Sequence, residues 1–113
     1  MIHEMKLQPK YYDYILKGTK RIELRLFDEK RQEIKVGDKI NFLKEPELTE
    51  SFEAVVTGIF NYNNFDNLFS DYPIEMLADK EITKEELKSV LEEFYTPEKQ
   101  NIYGVLGIKI ELI

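Results

Sequence analysis

The sequence predicts an α+β domain: a small, mostly antiparallel β-barrel of five or six strands with flanking helices. Apolar residues alternate strictly in several short runs, two segments switch to helical spacing, and 113 residues make a chain long enough for one sizeable core. Hydrophobic residues at 42% and aromatics at 12% separate the chain from disordered ones, although 34% of it is charged. Short strands in this number protect their edges by curling, with helices over the open ends. The expected organisation is one domain over residues 1–113.

Met5 and Leu7 read as the end of a first strand. Pro9 suits a first helical turn, Tyr12, Ile15 and Leu16 share one face, and Gly18 fits a left-handed cap, so a helix is predicted from Pro9 to Lys17. From Lys20 the period becomes two. Ile22, Leu24 and Leu26 alternate with Arg21, Glu23 and Arg25. Ile34 and Val36 lead into the Gly37-Asp38 turn, after which Ile40 and Phe42 resume the alternation. Phe52 to Phe60 reads as a strand with Phe52, Ala54, Val56 and Phe60 on one face. A helical insert follows: Phe65, Leu68 and Phe69 fit a short helix, Asn63 or Asn64 can cap it, and Pro73 opens another. Thr83 and Glu86 form a capping box for a helix from Lys84 to Tyr95, with Leu87, Val90, Leu91 and Phe94 as its buried stripe. Residues 96–101 read as loop, and Leu106, Ile108, Ile110 and Leu112 as the last strand. Ile22, Leu24, Ile40, Phe42, Val56, Leu87, Leu91, Phe94, Leu106 and Ile108 are the predicted core.

Composition removes several classes of function. Without cysteine there is no disulfide, thiol nucleophile or cysteine-ligated zinc, and the single histidine, His3, rules out a multi-histidine metal site. No metal and no cofactor is expected. No apolar run approaches membrane-spanning length and the N-terminus lacks a signal-peptide core, so a cytoplasmic protein without membrane contact is expected. The net charge of −6 argues against a protein that coats nucleic acid nonspecifically. It conceals an asymmetry, however. Residues 1–44 carry eleven basic and seven acidic side chains, and the remainder five and fifteen. The basic surplus, Lys17, Lys20, Arg21 and Arg25 above all, is expected to converge on one cleft.

The segment Gly18-Thr19-Lys20-Arg21-Ile22-Glu23-Leu24-Arg25 is the most informative. Alternation puts Arg21, Glu23 and Arg25 on one strand face. Such a group can bind a phosphate or carboxylate through its cations, while the carboxylate orients the arginine or accepts a proton. The same pattern also suits an ordinary exposed strand with a weak i, i+2 ion pair. Tyr11, Tyr12 and Tyr14 can offer a stacking face or core aromatics. Tyr62-Asn63-Asn64 can present amides to a cleft or simply make a turn, and Tyr103 beside Gly104 can face a ligand or mark a bulge.

With Gly18, Lys20, Glu23 and Arg25 following a first helix, the chain resembles the ASCH domain family, whose hallmark is G-x-K-x-x-E-x-R and whose fold is a PUA-like barrel. The resemblance extends through residues 34–42, the helix from Lys84 to Tyr95 and residues 102–108, and looks like the small single-domain prokaryotic members. It implies a cleft between barrel and first helix lined by Lys20, Glu23 and Arg25, with Gly18, Arg21 and Tyr103 as further ligand-binding candidates. It also implies a module that binds RNA, a nucleotide or a nucleoside-like ligand. One branch of the family hydrolyses acetylcytidine and related acylated nucleosides with a lysine, a threonine and a glutamate. Lys20 matches that lysine, but Glu23 stands at the threonine position, and Lys80, with Glu81 beside it, at the glutamate position. The alternative to a binding module is therefore a small amidohydrolase using Lys20 and Glu23. A third reading is a protein-interaction domain acting through the acidic C-terminal surface.

Overall fold

The computed structural model describes residues 1–113. Five strands form one mixed sheet curled into a half-barrel: β1 (Ile2–Leu7), β2 (Ile22–Leu26), β3 (Lys39–Lys44), β4 (Ser51–Tyr62) and β5 (Val105–Leu112). Their order across the sheet is β1-β3-β4-β5-β2, so β1 and β2 are its two edges. The β1–β3 pair is parallel, with Met5 opposite Phe42; the other pairs are antiparallel, with Ile40 opposite Ala54 and Glu23 opposite Ile108. The five helices are α1 (Pro9–Leu16), α2 (Phe65–Asp71), α3 (Ile74–Leu77), α4 (Lys84–Phe94) and α5 (Pro97–Tyr103).

Apolar alternation buries both faces of the sheet. On one side Met5, Ile40, Phe42, Val56, Leu106 and Ile108 pack with Tyr12 and Ile15 of α1. On the other, Ile22, Leu24 and Val105 pack with Phe65, Leu68, Leu77 and Leu87 of the helical insert. Full burial of a side chain such as Phe42 contributes about 1.5–3 kcal/mol. β2 therefore sits between two cores, with Ile22 and Leu24 directed into one and the intervening Glu23 aimed the other way. The predicted helix caps form: Asn64 Oδ1 accepts the Asn67 N–H at 2.9 Å, and Thr83 and Glu86 make the reciprocal capping box.

Four local expectations are corrected. Ile34 is buried, but Val36 is exposed, and the segment before Gly37 is a single 3-10 turn (Arg31–Glu33) running into the turn at 36–37 instead of a strand. In β4 a bulge between Val56 and Gly58 inserts an extra residue, so the alternation changes phase. Ala54, Val56 and Ile59 consequently face one core and Phe60 the other. Residues 96–101, expected as loop, instead open α5 (Pro97–Tyr103): Thr96 caps it, Pro97 occupies its first turn, and Gly104 ends it at φ 76°. Phe94, placed in the core by helical spacing, is 52% exposed. Burial fades along the α4 stripe from Leu87, which is sealed, through the half-buried Val90 and Leu91 to Phe94. The C-terminal half of α4 is thus left uncovered and walls a cleft.

Candidate functional site

Lys20 reaches its place through the end of α1. Gly18 takes φ 84°, a region that costs glycine nothing, and the chain wraps so that the Thr19 and Lys20 amides both donate to the Tyr14 carbonyl at 3.1 Å. The Lys20 side chain then points inward and is only 3% exposed. Its ammonium donates to the carbonyl oxygens of Ile22 at 2.7 Å and Leu77 at 2.6 Å, and lies 3.4 Å from Glu23 Oε1. Three protons meet three acceptors. Burial pushes the Lys20 pKa down, with the Glu23 carboxylate opposing it.

Glu23 is 4% exposed and fully engaged. Its Oε1 accepts the Leu24 N–H at 3.1 Å, while Oε2 accepts Arg25 Nε at 3.0 Å and Nη2 at 2.7 Å. Burial alone would raise its pKa; Arg25 and Lys20 outweigh that and hold it below the usual carboxylate value. For Arg25 burial works downward, but Glu23 and the Tyr95 hydroxyl keep the guanidinium pKa above its ordinary value. Arg25 Nη2 also donates to the Lys6 carbonyl at 3.0 Å. One side chain thereby spans β2 and β1, the two sheet edges, leaving its Nη1 group outside these bonds.

Above the three charged groups lies a cleft of about 170 Å³. Lys6, Tyr11 and Glu45 line it together with Lys20, Glu23 and Arg25, and Leu87, Val90, Leu91 and Phe94 of α4, with Tyr95 just after the helix, form its apolar wall. Lys20 lies 6.0 Å from the centre of the Tyr11 ring. Of the three clustered tyrosines, Tyr11 faces the cleft; Tyr12 packs against Phe52 and Tyr14 is buried.

Lys20, Glu23 and Arg25 thus come together as predicted, whereas three other candidates stand apart. Gly18 is exposed and acts on the site through the backbone turn that delivers Lys20. Arg21 is exposed outside the cleft, its backbone N–H bonded to the Met76 carbonyl. Tyr103 lines a separate cleft with Tyr62, Asn63 and Gly104. The basic surplus does not converge as expected: Lys17 and Arg21 lie outside, and Glu23 and Glu45 accompany the cations that remain. Sequence reasoning missed Lys6 and Tyr95. Lys6 alternates with the buried Met5 and Leu7 and is itself exposed, but nothing local in the sequence brings β1 next to Arg25. No three His, Asp or Glu side chains are placed to hold a metal ion, and no helix is long and apolar enough to cross a membrane.

A half-barrel closed by an arginine across its edges, with a lysine and a glutamate beneath it, defines the class: the ASCH domain profile matches residues 5–113, and the chain belongs to that family. Among solved structures it is similar to hypothetical protein PH0355, at 38% identity and TM-score 0.88 over 100% of both chains. Protein PF0455 from Pyrococcus furiosus is 36% identical with TM-score 0.80, over 100% of this chain and 98% of that one. The ASCH protein from Zymomonas mobilis shares the fold at 13% identity and TM-score 0.65, over 97% of this chain and 66% of that one. No curated protein matches the chain.

Proposed function

We propose that this protein is a binding module for RNA or a nucleotide- or nucleoside-like ligand, seated in the cleft between α4 and the sheet. Membership of a family thought to bind RNA supports the general class. The observation that carries the specific reading is the saturation of Glu23. Every strong donor near that carboxylate is already bonded to it, so its role is to hold Arg25 at the cleft floor rather than to take a proton from a substrate. Arg25 and Lys6 meet the polar edge or phosphate of the ligand, and Tyr11, Phe94 and Tyr95 offer apolar surface to a base. Lys20 acts below them as a structural cation.

Amide hydrolysis would require Lys20 or Glu23 to give up partners before acting as base or nucleophile. The test is a thermal-shift screen of nucleosides, nucleotides and short RNAs, followed by an acetate-release assay on acetylcytidine. A ligand at about 100 times its dissociation constant adds about 2.7 kcal/mol of stability. Stabilisation without acetate release supports the binding module. Time-dependent acetate release that is lost in Lys20→Met would replace it with the hydrolase.

A further inference from the structure

The second cleft differs in chemistry from the first and shares no lining residue with it. It measures about 520 Å³, within the roughly 300–1,000 Å³ typical of small-molecule sites. No charged side chain lines it. Its polar groups are carboxamides and two phenols: Asn61, Tyr62 and Asn63 from the end of β4 and the turn after it, Gln100, Asn101 and Tyr103 from α5, with the Tyr62 hydroxyl already donated to Asp71. Asn61, Asn63 and Asn101 make no side-chain hydrogen bond within the chain, and Tyr103 is 41% exposed. By contrast, the neighbouring Gln100 is consumed by the fold. It donates to the Tyr95 carbonyl at 2.8 Å and accepts the Phe65 N–H at 3.2 Å, fixing α5 against α2. Gly104 lets the chain turn tightly here; a Cβ would stand 3.2 Å from the Tyr62 carbonyl at φ 76°. Gln100 and Gly104 hold the cleft in shape while three amides and an aromatic face remain unassigned.

We propose that this cleft is a second binding site that takes an uncharged nucleobase, stacked on Tyr103 and hydrogen-bonded along its edge by Asn61, Asn63 and Asn101. A carboxamide presents a donor and an acceptor side by side, the complement of a base edge, and a tyrosine ring supplies a stacking plane at little entropic cost. A wall free of charge selects against an isolated phosphate or carboxylate. The position is consistent with a single strand that engages both clefts. Arg25 of the first and Phe27 of the second are two residues apart in the chain, Phe27 lying just past the end of β2.

The test is a titration of ¹⁵N-labelled protein with adenosine, cytidine, guanosine and uridine in turn, and separately with inorganic phosphate. At least one nucleoside should shift the side-chain amide signals of Asn61, Asn63 and Asn101 and the backbone signals of residues 101–105, and phosphate should shift none of them. Raising the salt concentration should leave the affinity unchanged. Tyr103→Ala should weaken these shifts at least about fivefold, and Asn101→Asp should weaken them as well, with the signals of Lys6, Tyr11 and Arg25 as internal controls. The proposal fails if no nucleoside moves residues 101–105, if phosphate moves them equally, or if neither variant changes the affinity there. Because the first cleft reports through different residues, failure here leaves the reading of that cleft standing, and the converse also holds.

Discussion

Two clusters, each gathered around one carboxylate, occupy this small domain, and they are built on opposite terms. At the cleft floor Lys20, Glu23 and Arg25 are withdrawn from water, and backbone groups from β1, β2 and α3 complete their bonding. At the other, Asp38 gathers the N-terminal amine at 3.4 Å, His3 Nε2 at 2.8 Å and the Lys35 N–H at 3.1 Å near solvent. In water such a cluster contributes little and salt screens it. In the interior the same kind of contact becomes obligatory, because a charge left alone has no water to turn to. The buried cluster therefore belongs to the fold as much as to the site, and every substitution in it must be read on both scales.

The largest effect should come from Glu23→Ala, which strands two buried cations. A loss of about 3–5 kcal/mol is expected by urea denaturation, and a loss under 1 kcal/mol would show that water already solvates the cluster. Lys20→Met removes the ammonium and leaves the Ile22 and Leu77 carbonyls without a donor, although Glu23 keeps Arg25 and the Leu24 N–H. About 1–3 kcal/mol should be lost, together with protection of the β2–α3 junction from amide exchange.

Acid should separate the clusters further. The folded-state pKa of Glu23 lies below its ordinary value, so its contribution is complete above the normal carboxylate range and disappears as pH falls beneath it. Asp38 behaves in the same direction: its hydrogen bond to His3, foremost, brings its pKa down to about 2. Against about 3.9 in an unfolded chain, its contribution is whole above pH 4 and is lost toward pH 2. Asp38→Asn should therefore flatten stability against pH between about 4 and 2, while barely altering it in 0.5 M salt at neutral pH. An unchanged slope would remove Asp38 from the account. This is the smallest of the expected effects.

Of the two clusters, only the buried one was legible in the chain. Period-two alternation put Glu23 and Arg25 on one face of β2, and the step from Gly18 to Lys20 marked the corner that delivers the lysine. What could not be read were partners distant in sequence, such as the Leu77 carbonyl on Lys20 and the Lys6 carbonyl on Arg25, which depend on how the sheet curls. Other misses had signals that were present but outweighed. Thr96-Pro97-Glu98 is a helix start, with a cap, a first-turn proline and an acidic residue, although the polar run around it resembles a loop. Gly58 inside a strand pattern signals a bulge, and that bulge sends Phe60 to the opposite face from Val56. Phe94 obeys helical spacing, but spacing shows which face of α4 a residue occupies and not how far along the helix the core extends. Its exposure supplies one wall of the candidate site.

The central claim is that the buried cluster holds Arg25 ready to meet a ligand in the α4 cleft. The most direct test is a titration of ¹⁵N-labelled protein with short single-stranded RNA and with nucleosides, wild type beside Arg25→Lys, reading the Arg25 Nε signal and the amides of Lys6, Tyr11 and Tyr95. The lysine keeps the charge but loses the paired geometry that Glu23 imposes. The account predicts shifts at those four residues and an affinity reduced about tenfold, equivalent to about 1.4 kcal/mol, in the folded Arg25→Lys variant. Binding that leaves all four signals unmoved, or an affinity indifferent to Arg25→Lys, would contradict it.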